Sequence, residues 1–229
     1  MSGRGVTRMA GANARDFGDE RYFTRLAAAF VRGRLGLEAP CGSPEELIAA
    51  GLAAGLRLHK FKRNAELPRV RKVVGILRGL APATLLDVGS GRGTFLWPLL
   101  DAFPGLRVTS VDADPLRVAD IDAVRAGGVS NLRALRMDAA ALELDDKQVD
   151  VVTALEVLEH LPAPARAAAE AVRVAGGYVV ASVPSKEDDN PEHIQLFDRR
   201  GFESLFLDAG ARSVKVDFVL NHMIAVAKV

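Results

Sequence analysis

Cysteine is almost absent from this chain of 229 residues: Cys41 is the single one. One thiol excludes an intrachain disulfide and a thiolate-rich metal centre, and nothing asks for an oxidising compartment, so the cytoplasm is the expected location. Long apolar runs are missing too. The first twenty residues, MSGRGVTRMAGANARDFGDE, carry arginines without a continuous apolar core, and no later stretch has the uncharged length that a bilayer crossing requires. No membrane partner is expected, and residues 1–20 read as a flexible, solvated leader. Internal repeats, low-complexity tracts and long linkers are also lacking.

An excess of one charge is missing only on average. The formal net charge is +1, yet residues 1–80 hold 15 Lys and Arg against 7 Asp and Glu, and residues 81–229 hold 15 against 22. A basic front third either meets an anionic partner or is drawn to the acidic remainder of its own chain. With 49% hydrophobic and 26% charged residues, the composition is that of one globular domain with a substantial core.

That front third is helical in pattern. Residues 20–32, ERYFTRLAAAFVR, bring apolar side chains to helical spacing. In SPEELIAAGLAAGLRL, Ser43 suits an N-cap, Pro44 the first helical position and Glu46 a capping box, which predicts a second helix running to the neighbourhood of His59. ELPRVRKVVGILRGL places Val70, Val73, Val74 and Leu77 on one face of a third helix, predicted to stop at Gly79 and Pro82.

After Pro82 the period changes. The runs ATLLDVG, LRVTSVDAD, NLRALRMDA, VDVVTALE and GGYVVASVP alternate with helical segments, which predicts an α/β fold with a doubly wound, mostly parallel sheet. The end of the chain departs from that alternation. A helix in RGFESLFLDAG precedes two short runs joined at Asn221–His222, the pattern of an antiparallel C-terminal hairpin.

The first strand turns into its helix through LLDVGSGRG, with Gly89, Gly91 and Gly93 at alternate positions. Doubly wound sheets bind ligands at the carboxyl ends of their strands beside this turn, and side-chain-free backbone lets a nucleotide-like molecule come close. Thr94 follows Gly93, so the spacing is G-x-G-x-G and not the G-x-G-x-x-G of a dinucleotide site, which disfavours a nicotinamide dehydrogenase.

Over residues 83–229 the sequence resembles the class I S-adenosylmethionine-dependent methyltransferases, whose first motif reads much like LDVGSGRG. The resemblance implies a Rossmann-like methyltransferase fold with S-adenosylmethionine as cofactor. Asp112, in VTSVDAD, would hold the ribose hydroxyls; Asp138, in RMDAA, would accept from the adenine amino group; Asp87 would face the methionine end. Residues 21–81 would then be a helical lid that selects the acceptor, packed into one compact unit with a catalytic domain over residues 82–229.

A second constellation lies in ALEVLEHLP, after the fourth strand. If Glu156 starts a helical turn, Glu159 and His160 share its face at i+3 and i+4, and His193 in DDNPEHIQLFDRRGF can reach the same cleft. Two carboxylates and two imidazoles suit a divalent ion, Mg²⁺, Mn²⁺ or Zn²⁺. Alternatively His160 or His193 serves as a base with Glu156 at the reacting centre, or the two only cap a turn and bond a loop. These residues resemble both UbiG-like quinone-biosynthesis methyltransferases and small-RNA 2′-O-methyltransferases of the Hen1 type. The expected function is methyl transfer to O or N of a small molecule; the alternatives are metal-assisted methylation of an RNA ribose and cofactor binding without catalysis. Arg57, Lys60, Lys62, Arg63, Arg69, Arg71 and Lys72, set against Glu66, form either solvated helix faces or a surface for an anionic acceptor. Phe61 alone makes no base-stacking platform.

Overall fold

The computed structural model describes residues 23–38, 42–63, 67–187 and 189–229; the expected leader, Cys41 and Glu66 lie outside the described residues. A seven-stranded sheet runs through the middle. Its strands are β1 (Thr84–Val88), β2 (Arg107–Asp112), β3 (Leu132–Arg136), β4 (Val149–Leu155), β5 (Ala175–Pro184), β6 (Ser213–Val219) and β7 (His222–Lys228), in the order β3-β2-β1-β4-β5-β7-β6. β1 to β5 are parallel, while β7 runs antiparallel to both β5 and β6. The central strands are covered on both faces and so read as unbroken apolar runs. Along each, neighbours point to opposite sides. Leu85, Val151 and Val180 join one buried cluster, and Leu86, Val152 and Val179 the other. Order reverses between β1 and β4, the switch point, and the ends of β1, β2 and β4 open there.

Three helices precede the sheet: α1 (Thr24–Leu35), α2 (Pro44–Ala53) and α3 (Pro68–Leu80). The capping box at α2 is formed, with Glu46 N donating to Ser43 Oγ at 3.3 Å and Ser43 N to Glu46 Oε2 at 2.7 Å. The helix stops at Ala53 and not near His59. Gly55 takes a left-handed φ of 79°, with Gly55 N donating to Leu52 O and Leu56 N to Gly51 O, a Schellman closure that a glycine permits and the apolar pattern conceals. α3 buries Val70, Val73, Val74 and Leu77, and runs through Gly79 to Leu80, with a left-handed Ala81 as its C-cap.

α2 packs on α1. α1 lies against α5 (Pro115–Ala126), beside β2 and β3, at backbone contact distance. A Cβ on Gly127 would stand 1.7 Å from Ala29 O, and one on Gly33 would stand 1.9 Å from Ala123 O. Phe61, from a 3₁₀ turn at His59–Phe61, packs between Phe30 (ring centroids 5.3 Å apart) and Trp97 (5.0 Å). Trp97 belongs to α4 (Leu96–Ala102), so the N-terminal segment and the sheet share one core.

Ion pairs show where the basic first third is directed. Arg34 and Lys60 both bind Asp120 of α5, Arg63 meets Asp101 of α4 at 3.0 Å, Lys72 meets Asp217 of β6 at 3.5 Å, and Arg69 lies 3.9 Å from Glu156. The charge division is therefore internal complementarity in good part. Each exposed pair contributes little alone, so shape and apolar burial carry the docking.

On the opposite face lie α6 (Pro164–Val174) and α7 (Arg199–Asp208). The terminal hairpin forms one residue earlier than the sequence predicts, with its turn at Leu220–Asn221, because His222 pairs with Val219 and Pro184 as the first residue of β7. Among the described residues no helix is long and apolar enough to cross a membrane.

Candidate active site

The glycine loop begins where β1 ends. Gly89 and Gly93 have φ of 69° and 83°, and a Cβ would meet Val157 at 2.5 Å from the first and the Trp97 ring at 2.1 Å from the second. Any side chain there is excluded twice, by backbone and by space. Gly91 N donates to Asp112 Oδ2 at 2.7 Å, and Asp114 N donates to Oδ1 at 2.9 Å. Asp112 thus ties the loop to the end of β2 and keeps lone pairs for a ligand.

Two cavities are lined by the glycine loop. The larger, about 440 Å³, is lined by Asp112, Met137, Asp138, Val157, His160 and Glu192 among others. The smaller, about 180 Å³, is lined by Arg69, Asp87, Ser90, Arg92, Thr94 and Phe95 among others. Gly89, Gly91 and Glu156 line both. Asp138 also holds Ala140 N at 2.9 Å, a local turn that fixes its carboxylate at the cavity wall.

Asp87 is 2% exposed. Its Oδ2 accepts from Ser90 Oγ at 2.6 Å and its Oδ1 from Thr153 Oγ1 at 2.8 Å, while Ser90 Oγ also meets Ser110 Oγ at 2.7 Å. Burial pushes its pKa up to about 6, against the pull of those two hydroxyls and with help from the negative Asp112 nearby.

Glu156 does not share a helical face with Glu159 and His160. It has a left-handed φ of 57°, and the 3₁₀ turn Leu158–His160 starts only after it, which breaks the i+3, i+4 alignment expected from the sequence. Its carboxylate turns instead to Ser182 Oγ (2.6 Å) and His222 Nε2 (3.1 Å). Burial alone would raise its pKa, but the hydrogen bonds from His222 and Ser182 and the charge of Arg69 outweigh it and hold the carboxyl below the usual range.

Glu159, His160 and His193 do come together. One ligand atom from each lies within 4.8 Å of the others, and Glu159 Oε1 is 4.0 Å from both Nε2 atoms. The two imidazole rings meet edge on at 4.8 Å. His160 Nδ1 lies 2.9 Å from the carbonyl of Glu192, which can only accept; Nδ1 therefore carries a proton, and in the neutral ring Nε2 presents its lone pair toward Glu159. His193 is held over the turn by Ile194 N donating to Glu159 O at 3.0 Å and Gln195 Nε2 donating to Leu158 O at 3.1 Å.

The sequence reading did not single out Arg69, Ser182 or His222 for this site. Arg69 could be found only as one of a basic run. Nothing local marks His222, which reaches Glu156 through the pairing of β7 with β5.

Residues 86–181, from β1 to β5, match the family described as a methyltransferase domain. The chain is 33% identical over 115 residues to a ubiquinone biosynthesis O-methyltransferase of Nitrosomonas europaea, covering 48% of each protein. A second enzyme of that description, from Pseudomonas paraeruginosa, is 40% identical over 89 residues, covering 38% of this chain and 37% of the relative. The chain thus spans half or less of the curated relatives it matches. Among solved structures, the methyltransferase domain of a bacterial Hen1, CtHen1-C, superposes with a TM-score of 0.59 at 19% identity, covering 72% of this chain and 99% of that one. At such identity the likeness speaks for the fold alone. The matched segment holds the glycine loop, Asp112, Asp138 and the Glu159–His160 turn on a doubly wound sheet, and over residues 86–181 the chain is similar to methyltransferase domains.

Proposed function

We propose that the chain is an S-adenosylmethionine-dependent O-methyltransferase acting on a small-molecule acceptor. The observation that carries this reading is the pair of cavities that share Gly89, Gly91 and Glu156, whose polar groups follow the order of the cofactor's own parts. Asp138 and Asp112 would take the adenine amino group and the ribose hydroxyls, and the glycine loop would let the nucleoside lie against backbone. Asp87 would face the ammonium and Arg69 the carboxylate of the methionine end. The oxygen preference draws on the relatives described as O-methyltransferases.

The cofactor methyl is already activated. An acceptor oxygen offers a lone pair as the carbon–sulfur bonding pair leaves to give the neutral thioether, so the protein's part is alignment and exclusion of water. The acceptor hydroxyl must also lose its proton, and the candidate groups are His160 and the Glu156 carboxylate, which line the larger cavity, and His193, whose ring meets that of His160. With Lys60, Arg63 and Lys72 facing acids of the same chain, the basic segment lends no support to an RNA acceptor.

Asp112→Ala tests the cofactor assignment. Calorimetry on folded protein should show S-adenosylmethionine binding weakened by about 2 kcal/mol, through lost charge-assisted hydrogen bonds. An unchanged dissociation constant would remove Asp112 from the site.

Glu159, His160 and His193 fit a divalent ion in donor type and spacing, and the proton on His160 Nδ1 leaves a ligand nitrogen aimed inward. Two imidazoles and one carboxylate suit Mn²⁺ or Zn²⁺ better than Mg²⁺, which prefers oxygen. Such an ion would act as a Lewis acid that lowers the pKa of an acceptor hydroxyl. Titration with Mn²⁺ should reveal one site, weakened about tenfold or more in His193→Ala with cofactor affinity unchanged. Failure of the unaltered protein to bind Mn²⁺ or Zn²⁺ would make the cluster a structural one.

A further inference from the structure

Three residues face both halves of the cleft, Gly89, Gly91 and Glu156, and Glu156 alone of them has a side chain. In S-adenosylmethionine the sulfonium is the joint between ribose and amino-acid end. A cofactor laid from Asp112 to Asp87 and Arg69 therefore passes its permanent positive charge beside Glu156. Resting on the methyltransferase reading above, we propose that the Glu156 carboxylate, held in place by His222, reads the charge on the donor sulfur, so that the cleft favours the sulfonium donor over the neutral thioether product.

The surroundings of Glu156 are built to fix a charge in place. Its backbone adopts a left-handed conformation that a non-glycine residue enters at a cost, and its N–H still donates to Ser182 O at 2.9 Å, extending the β4–β5 ladder by one bond. Ser182 Oγ donates to one carboxylate oxygen at 2.6 Å from β5, and His222 Nε2 lies 3.1 Å from the other, from β7. Ser182 is fully buried and His222 sits in a two-sided strand register, so neither support is a loosely held surface group.

Arg69 is the remaining charge facing this carboxylate. At 3.9 Å it is beyond hydrogen-bond distance, which leaves its guanidinium for the carboxylate of the ligand. Two donors occupy two of about four acceptor positions on the Glu156 oxygens. The others stay available toward the cleft. His222 is thus a positioning residue that acts through Glu156.

The discriminating measurement is the ratio of dissociation constants for S-adenosylhomocysteine and S-adenosylmethionine, taken by calorimetry on the full chain, with thermal melts to establish folding. Glu156→Gln keeps the shape and removes the charge, and should lower that ratio about tenfold by weakening the donor and sparing the product. His222→Phe should lower it roughly threefold or more, whereas His222→Gln, whose amide can still donate to the carboxylate, should stay within about twofold of the unaltered protein. A merely structural role for His222 would change both affinities together and leave the ratio alone. An unchanged ratio in Glu156→Gln overturns the proposal. A fall in Glu156→Gln without one in His222→Phe overturns the part given to His222. If the unaltered protein binds neither ligand, the methyltransferase reading itself fails, an outcome distinct from both.

Discussion

Asp87→Asn is expected to stabilise the ligand-free protein at pH 7 by up to about 3 kcal/mol while weakening its hold on S-adenosylmethionine. The carboxyl is buried with a pKa pushed up to about 6, so the folded state binds its proton more tightly than the unfolded chain does. A raised acid pKa contributes stability below the unfolded value near 4, and that contribution is lost as the pH climbs through 6. Above 6 the folded protein carries a desolvated anion that the asparagine lacks. Urea denaturation of both proteins at pH 4, 5 and 7 should show a gap that opens with pH. The cofactor's ammonium would give that anion its purpose, so binding to the unaltered protein should tighten as the pH rises from 5 toward 7, and in Asp87→Asn this dependence should vanish. A stability gap that is the same at pH 4 and pH 7 would place the Asp87 carboxyl in a far more polar setting than its burial implies.

Gly127→Ala should cost about 3 kcal/mol or more, among the larger losses a single added methyl produces. The backbone at Gly127 has φ of −79°, which alanine adopts freely, so the entire effect comes from the Cβ meeting Ala29 O at 1.7 Å. α1 would have to lift from α5, loosening the six buried residues it contributes from Leu26 to Val31. Gly33→Ala strikes the same seam from the other side, offset in part by the better helix propensity of alanine, about 0.8 kcal/mol. Because either change lifts the same helix, the double variant should lose less than the sum of the two. A loss below about 1 kcal/mol in Gly127→Ala would show that α1 and α5 do not meet at backbone distance.

What could be read in advance divides along the range of the forces involved. The five parallel strands and the glycine loop were legible because each depends on a short apolar run or on φ preferences within a few residues. The start of α2 was legible for the same reason, since Ser43, Pro44 and Glu46 act on one turn. Its end was not: the apolar spacing continues past Gly55, and only the left-handed glycine stops the helix. At the site, the residue types were readable and their directions were not. Glu156 and Glu159 look equivalent in ALEVLEHLP, but one left-handed residue sends the first toward β5 and β7 and leaves the second with the two histidines. The supports of Glu156 come from α3, β5 and β7, which no spacing rule connects. The charge division was visible from composition, yet only the pairs to Asp101, Asp120, Glu156 and Asp217 separate internal attraction from a surface for an anion.

The sharing of Phe30, Phe61 and Trp97 in one core bears on how this protein can be cut and recombined. The family match begins at residue 86, but one face of the sheet below it is closed by side chains from before residue 78, with Phe61 lying directly on Trp97. A fragment trimmed to the recognisable domain would leave Leu96, Trp97, Val108 and Val151 stripped of those covering residues, an apolar area of the kind that drives chains together. The segment that carries the sequence signature is therefore smaller than the segment that shares its core. A chimera with a relative should keep α1, the turn at Phe61 and α3 together with the sheet they cover, and should not cross over at the start of β1.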